Sequence, residues 1–438
     1  MKRGFYTIMA AQFCSSLADN ALLIAAIALL AEMHSADWMT PLLKLFFVLS
    51  YVLLAAFVGA FADSMPKGRV MLVTNTIKIV GCASMFFGLH PLLAYAIVGF
   101  GAAAYSPAKY GIITELLPPE DLVAANGWIE GLTVSSIICG TVLGGILINP
   151  GVADIVLTYE LPLSIAAAGT PAEAAISVIA AIYLVAALIN LHIVDTGARY
   201  PHQERKVARL IIDFTTCVSL LWSDRLGQIS LAVTTLFWGA AATLQFVVLK
   251  WAAQGLGLDL SHAAVLQAVV ALGVALGAVL AAARIPLRQS LSVLPYGVAM
   301  GATVIILGCF RRAWFPQLEL TLFGAHIPLA VIVAGALLMA MGCMAGYFVV
   351  PMNALLQHRG YVLMSAGHSI AVQNFSENLS VLTMLCVYAA LVRIHLDIRL
   401  VILLFGSFVC AVMLLVMQRH RRNERQFHIE ALIGETPR

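Results

Sequence analysis

Polar residues along this chain are sparse and bunched, and the stretches between them run to about 20 apolar residues. Coiled as an α-helix rising about 1.5 Å per residue, such a stretch crosses a hydrocarbon layer about 30 Å thick. The pattern predicts twelve membrane helices, at approximately 5–31, 42–62, 70–89, 92–114, 126–148, 174–194, 228–251, 261–283, 291–310, 325–350, 362–391 and 398–418. Gly, Pro and polar residues interrupt the tenth and eleventh, which leaves their edges the least defined. The fold class expected is an all-α membrane protein with twelve transmembrane helices in two six-helix halves.

The longest polar connection, Asp195 to Gly227, separates six spans from six and contains the basic stretch "RYPHQERKVAR". The expected organisation is an N-terminal half over 1–194, a linker over 195–227, a C-terminal half over 228–418 and a basic tail over 419–438. Within the linker, Val207 to Leu221 reads as a short amphipathic helix lying on the membrane surface. Two helical halves around a central site is the plan of many secondary transporters.

Basic residues then set the orientation. With the N-terminus inside, seventeen of the 25 Lys and Arg residues fall at the termini or in the inside connections, whereas Lys44, Lys250, Arg311, Arg312, Arg393 and Arg399 fall on the other side. The excess places both termini in the cytoplasm. The first apolar run is too long for a signal-peptide core and is interrupted by Asp19, so it is read as the first membrane helix.

Composition agrees with lipid as the solvent: 61% of the residues are hydrophobic and 11% charged, with a mean hydropathy of +0.95, against about 25% charged in soluble domains. The eight cysteines are scattered without a C-x-x-C pair, so neither a disulfide framework nor a metal site is expected. A Walker-type phosphate loop is absent, which argues against an ATP-driven pump. None of the eleven histidines is followed five positions later by an acid, as the general base of a glycerolipid acyltransferase would require. No enzyme activity and no nucleic-acid partner are expected.

Ionisable groups inside membrane helices are costly and normally face a bundle interior or a water-filled path. In the first span Gln12, Ser15, Ser16 and Asp19 recur at three- and four-residue intervals, on one helix face. Asn20 follows the acid directly. Asn75 and Lys78 lie in span three, Tyr105 and Lys109 in span four around Pro107, and Asn126, Glu130 and Thr133 in span five. The C-terminal half has Trp238 and Gln245 in span seven, and Ser369, Gln373, Asn374, Glu377 and Asn378 in span eleven, with His368 just ahead of that stripe. These residues outline an internal cavity carrying both signs of charge. Lys109 or Lys78 suits a phosphate, Asp19 or Glu130 an ammonium or a coupling cation, sodium or proton, and the amides a polar head. Pairing among the same residues to hold helices together is the competing reading. No other cofactor is indicated.

Between spans two and three, "GAFADSMPKGR" resembles the signature of the major facilitator superfamily, Gly-x-x-x-Asp followed by Gly-Arg. Gly59, Asp63, Gly68 and Arg69 match, with two extra residues before Gly68. The resemblance implies a cytoplasmic gating latch at Gly59, Asp63 and Arg69. A second copy, "GAVLAAARIPLR", follows span eight without its acid. The stretches "AQFCSSLADNALL", "GAAAYSPAKYGIITELLP", "LVAANGWIEG", "FWGAAATLQF", "FVVPMNALLQHRG" and "AGHSIAVQNFSEN" resemble the bacterial lysophospholipid transporter family within that superfamily, along essentially the whole chain.

That resemblance implies transport of lysophosphatidylethanolamine and lysophosphatidylglycerol across the inner membrane to the cytoplasmic leaflet, where an acyl–acyl carrier protein-dependent acyltransferase restores the second chain. It places the family's functional acids on Asp19 and Glu130 and its span-four lysine on Lys109. It also puts Gln245 where the family has an arginine, with Lys250 five residues on. Surrounding membrane lipids and the acyltransferase are the partners implied. A cation- or proton-coupled drug or small-solute antiporter of the same superfamily is the alternative, since both kinds of site need apolar walls and a buried acid.

Overall fold

The computed structural model describes residues 3–35, 39–158, 169–201, 206–258, 260–316, 318–322 and 325–426. Residues 202–205 of the linker and the part of the basic tail beyond Gln426 lie outside them. The described chain is almost wholly helical: α1 Arg3–Glu32, α2 Thr40–Leu53, α3 Ala55–Asp63, α4 Lys67–Phe86, α5 Pro91–Leu116, α6 Leu122–Leu147, α7 Pro150–Thr158, α8 Pro171–Asn190, α9 Val207–Ser223, α10 Gly227–Leu256, α11 Leu260–Arg284, α12 Leu294–Cys309, α13 Leu329–Leu363, α14 Ala366–Arg393 and α15 Ile398–Gln426. Among the described residues eleven helices are long and apolar enough to cross a membrane, or twelve if α2 and α3, which meet at a 65° bend, make one broken span.

Several differences from the sequence pattern have local causes. The expected second span breaks at Leu54, where the Phe57 amide bonds back three residues to the Leu54 carbonyl at 2.9 Å. The tenth span begins at Leu329, because residues 325–328, placed in the helix by hydropathy, pair instead as strand β2 (Ala325–Pro328) with β1 (Glu319–Leu322). That helix also runs on to Leu363 through Pro351, and α5 runs through Pro107, since neighbouring helices in an apolar solvent tolerate an internal proline. Helix α7, absent from the pattern, is too short to span. The linker helix forms as α9; Phe214 on its inner face packs edge-on to Phe375 with ring centroids 5.3 Å apart.

Contacts divide the chain into two compact units. The first comprises residues 1–118, 132–220 and 360–375; the second comprises 119–131, 221–359 and 376–438. In the first, α4 packs on α5 and α8, α1 on α8, and α2 on α5. Its apolar core is built from small and branched residues of these helices, including Ala18, Leu22, Leu43, Cys82, Val98 and Ile176. In the second, α12 packs on α15, and α10 on α15 and α11, around a core that includes Trp251, Leu307, Leu338 and Ile402. Glycines permit the closest approaches. A Cβ on Gly81 would stand 2.5 Å from Val98 Cγ2 and 3.1 Å from the Ala94 carbonyl, so α4 and α5 touch backbone to backbone there.

Gly81→Val is therefore expected to lower the thermal midpoint of the detergent-solubilised protein, at a cost of about 1–3 kcal/mol from overpacking. Gly145→Val carries a similar change in helix propensity at a position with no heavy atom within 4 Å, and should leave the midpoint nearly unmoved. Equal effects at the two positions would refute the packing argument.

Candidate functional site

Helix α1 presents Gln12, Ser15, Ser16, Asp19, Asn20 and Leu23 to a cavity of about 270 Å³ inside the first unit. Helix α2 contributes Lys44, Phe47 and Tyr51; α4 contributes Lys78; α5 contributes Tyr95, Ala102, Tyr105, Ser106 and Lys109; α6 contributes Thr133 and Ile137. The seams between helices are polar. Ser136 donates to Ser16 at 2.7 Å, and the Gln12 amide reaches Thr133 at 3.4 Å. Asn20 turns back to the Ser16 carbonyl of its own helix at 2.8 Å.

At the centre of the wall is an ion pair. The Lys78 ammonium donates to both carboxylate oxygens of Asp19, at 2.8 and 2.9 Å, and to the Ser15 hydroxyl at 3.0 Å. Ser15 in turn donates to the Asn75 carbonyl oxygen at 2.8 Å. The Tyr183 hydroxyl donates to Asp19 at 2.6 Å. The ammonium lies 5.0 Å from the ring centroid of Tyr105 and 5.4 Å from that of Tyr183, close enough for cation–π attraction. The Lys78 side chain is 1% exposed and that of Asp19 21%, so the lysine is sealed into the wall and the carboxylate opens on the cavity. Gly101 makes room for this: a Cβ there would meet Lys78 Cγ at 2.8 Å and the Thr74 carbonyl at 2.9 Å.

A second polar cluster surrounds the end of α3. Asp63 is buried and accepts from the Gly367 amide at 3.0 Å, from the Ser365 hydroxyl, and from Lys67; His368 Nδ1 stands 3.0 Å from it. The carboxylate thus caps the first turn of α14, where free amides attract negative charge. Gly367 is required, because a Cβ would meet Asp63 Oδ1 at 2.6 Å, and Gly59 lets the His368 backbone approach. Arg69 of the signature is exposed; the buried cation on Asp63 is Lys67, which lies between Asp63 and Gly68 in the lengthened motif. Lys67 also donates to the Ala62 carbonyl at 2.9 Å and stands 3.5 Å from Glu115. Glu115 accepts from Thr196 and Tyr200 of the linker, each at 2.7 Å. Burial and the Glu115 charge push the Tyr200 phenol well above its usual value, which keeps it a donor.

The residues singled out from the sequence are thus distributed. Asp19, Asn20, Lys78 and Lys109 line one cavity. Asn374 joins the same unit and donates to the lining residue Ser106 at 2.9 Å, with Gln373 buried beside it. Glu130 and Glu377 are buried in the second unit, where Asn126 and Gln357 exchange reciprocal amide hydrogen bonds at 2.9 and 3.0 Å. Gln245 is exposed in that unit, and its backbone carbonyl accepts from Gln267. Sequence reasoning missed Tyr183, Lys67, Glu115 and Lys44. A lone phenol in "IAAIYLVAALIN" was the signal for the first; Lys67 and Lys44 read as topology charges, and Glu115 carried no signal.

Comparison with known proteins identifies the family. The sequence profile described as Major Facilitator Superfamily matches residues 8–383. The chain is 38% identical over 395 residues to the lysophospholipid transporter LplT of Serratia proteamaculans, covering 90% of each chain. It belongs to the lysophospholipid transporter family of the major facilitator superfamily. A family member from Yersinia enterocolitica is 38% identical over 399 residues, covering 91% of this chain and 89% of its own. The superfamily fold recurs in the fucose:proton symporter FucP of E. coli, with a TM-score of 0.67 at 14% identity over 95% of this chain and 98% of that one. It recurs also in a bacterial homologue of ferroportin, with a TM-score of 0.68 at 13% identity over 96% and 99%.

The Asp19–Lys78 pair sets a clear expectation for this family member. Asp19→Asn leaves a buried ammonium without its counter-charge, and Lys78→Met leaves the carboxylate without its cation, each costing on the order of 3 kcal/mol. The double variant removes both charges and should recover much of the loss in thermal unfolding. Additive losses would show that the two groups are energetically independent.

Proposed function

We propose that this protein carries lysophospholipids across the bacterial inner membrane to the cytoplasmic leaflet, with both termini in the cytoplasm, as a transporter and not an enzyme. The observation that carries the reading is the identity of 38% over nine-tenths of the chain with relatives named lysophospholipid transporters. The cavity suits such a cargo: its lining holds a carboxylate, lysines, phenols and hydroxyls, and Leu23, Phe47, Ala102 and Ile137 add apolar surface. A lysolipid needs both, a polar pocket for the head and an apolar side for its single acyl chain.

The ion pair suggests how the head is held. Lysophosphatidylethanolamine carries a phosphate and an ammonium, so it can exchange with the pair, phosphate to lysine and ammonium to Asp19, without leaving either protein charge uncompensated. Lysophosphatidylglycerol offers only the phosphate and would leave Asp19 to a coupling cation. A sodium ion or proton reaching Asp19 must compete with Lys78 in the same way. The two helical halves would alternate access by rocking, with the Asp63 cluster as the gating latch. Reacylation by an acyl–acyl carrier protein-dependent acyltransferase would remove the product.

Uptake of fluorescent lysophosphatidylethanolamine into proteoliposomes, with sodium, proton or no gradient imposed, tests the reading. Uptake well above empty vesicles is expected, with Asp19→Ala at background. Absence of uptake under every gradient would overturn the assignment of substrate.

A further inference from the structure

Three lysines and one carboxylate line the cavity. Lys78 neutralises Asp19, and no mechanism so far uses Lys44. That residue belongs to no part of the family signature, and as a sequence position it reads as an outside topology charge. Its helix gives it a different setting. On α2, Lys44, Phe47 and Tyr51 follow at three- and four-residue steps and all line the cavity, while neighbouring Leu43 is fully buried in the core. Phe47 anchors that face against Tyr95 of α5, with ring centroids 5.5 Å apart. Among the described residues no carboxylate pairs with Lys44.

The three lysines are also staggered. Measured along their helices from the end of the unit where α1 passes to α2 and α4 to α5, Lys44 is about 6 Å deep, Lys78 about 12 Å and Lys109 about 27 Å, at 1.5 Å per residue. On the topology proposed above, that end faces the outer leaflet, from which the cargo enters. An ammonium on a long flexible stem, lining the entry above an existing ion pair, is suited to an anion that arrives before the pair opens.

We propose that Lys44 is a phosphate-capture residue, binding the phosphodiester of the lysolipid headgroup at the outer mouth before the headgroup reaches the Asp19–Lys78 pair. This rests on the lysolipid reading of the function. Because the group recognised is the phosphate, Lys44 serves lysophosphatidylethanolamine and lysophosphatidylglycerol alike. It acts on capture and not on the later movement of the halves, so its loss weakens half-saturation and spares the maximal rate. A lysine that merely reaches for interfacial water would affect neither.

The test measures two quantities on the full chain in lipid vesicles: uptake of lysophosphatidylethanolamine, and its equilibrium binding by energy transfer from protein tryptophans to a dansyl-labelled lysolipid. Lys44→Gln is expected to raise the half-saturating concentration and the dissociation constant about tenfold, the size of one charge-assisted hydrogen bond, at an unchanged maximal rate. Lys44→Arg should stay within about twofold of wild type, because it keeps the charge and the donors. Monoacylglycerol, with the same chain and no phosphate, should compete equally weakly with wild type and Lys44→Gln. Unchanged binding in Lys44→Gln, or an equal defect in Lys44→Arg, would overturn the proposal. Wild-type protein that binds lysolipid in a Lys44-dependent way without carrying it would overturn the transport reading and leave the capture site standing.

Discussion

A lysine ammonium enclosed by apolar helices is tolerated only if a counter-charge comes with it, and the arrangement of the first unit follows from how Lys78 meets that condition. Its carboxylate comes from α1, a hydroxyl acceptor from the same helix, and the two aromatic faces from α5 and α8. Tyr183 completes the shell by donating to Asp19 from α8. Four helices are thereby brought to one point with a defined rotation and height. The close approach of α5 over the lysine stem requires Gly101, and the cavity is the space left on the open side of Asp19. The stabilising interaction and the candidate binding surface are therefore the same group of atoms.

That identity has a mechanistic consequence. A paired charge inside a membrane helix bundle is held against separation but not against exchange, because a ligand bearing both signs can replace each partner in turn. The second cluster obeys the same rule at the other end of the unit. Asp63 is balanced by Lys67 and by the first-turn amides of α14, and Lys67 is shared with Glu115, which the linker residues Thr196 and Tyr200 also hold. Opening this cluster means finding new partners for several buried groups together.

The apolar periodicity and the positions of the few buried charges were legible in the sequence, because a bilayer admits only continuous apolar helices and punishes every unpaired polar group. The single polar face of α1, the linker helix and the placing of Asp19 inside the bundle all followed from spacing. The bend at Leu54, the strand pair before α13 and the length of α13 did not. Each depends on a local hydrogen-bond choice that hydropathy does not register. The signature pointed to Arg69 as the basic partner of the motif, yet Lys67, within its lengthened stretch, supplies the buried cation on Asp63 while Arg69 is exposed.

By itself, then, the sequence determined that this protein lives in lipid, how many membrane-spanning helices its described residues hold to within one, and which family it joins, since those depend on composition, period and shared strings of residues. Tertiary structure alone decided which charges meet. Asp19 and Lys78 are 59 positions apart and Asp19 and Tyr183 are 164, and no period along one helix encodes the rotation of another. The same is true of Lys44, whose place in the sequence indicates only a charge near a membrane edge. Only the packing of Phe47 against α5 turns that helix face, and the ammonium with it, toward the cavity.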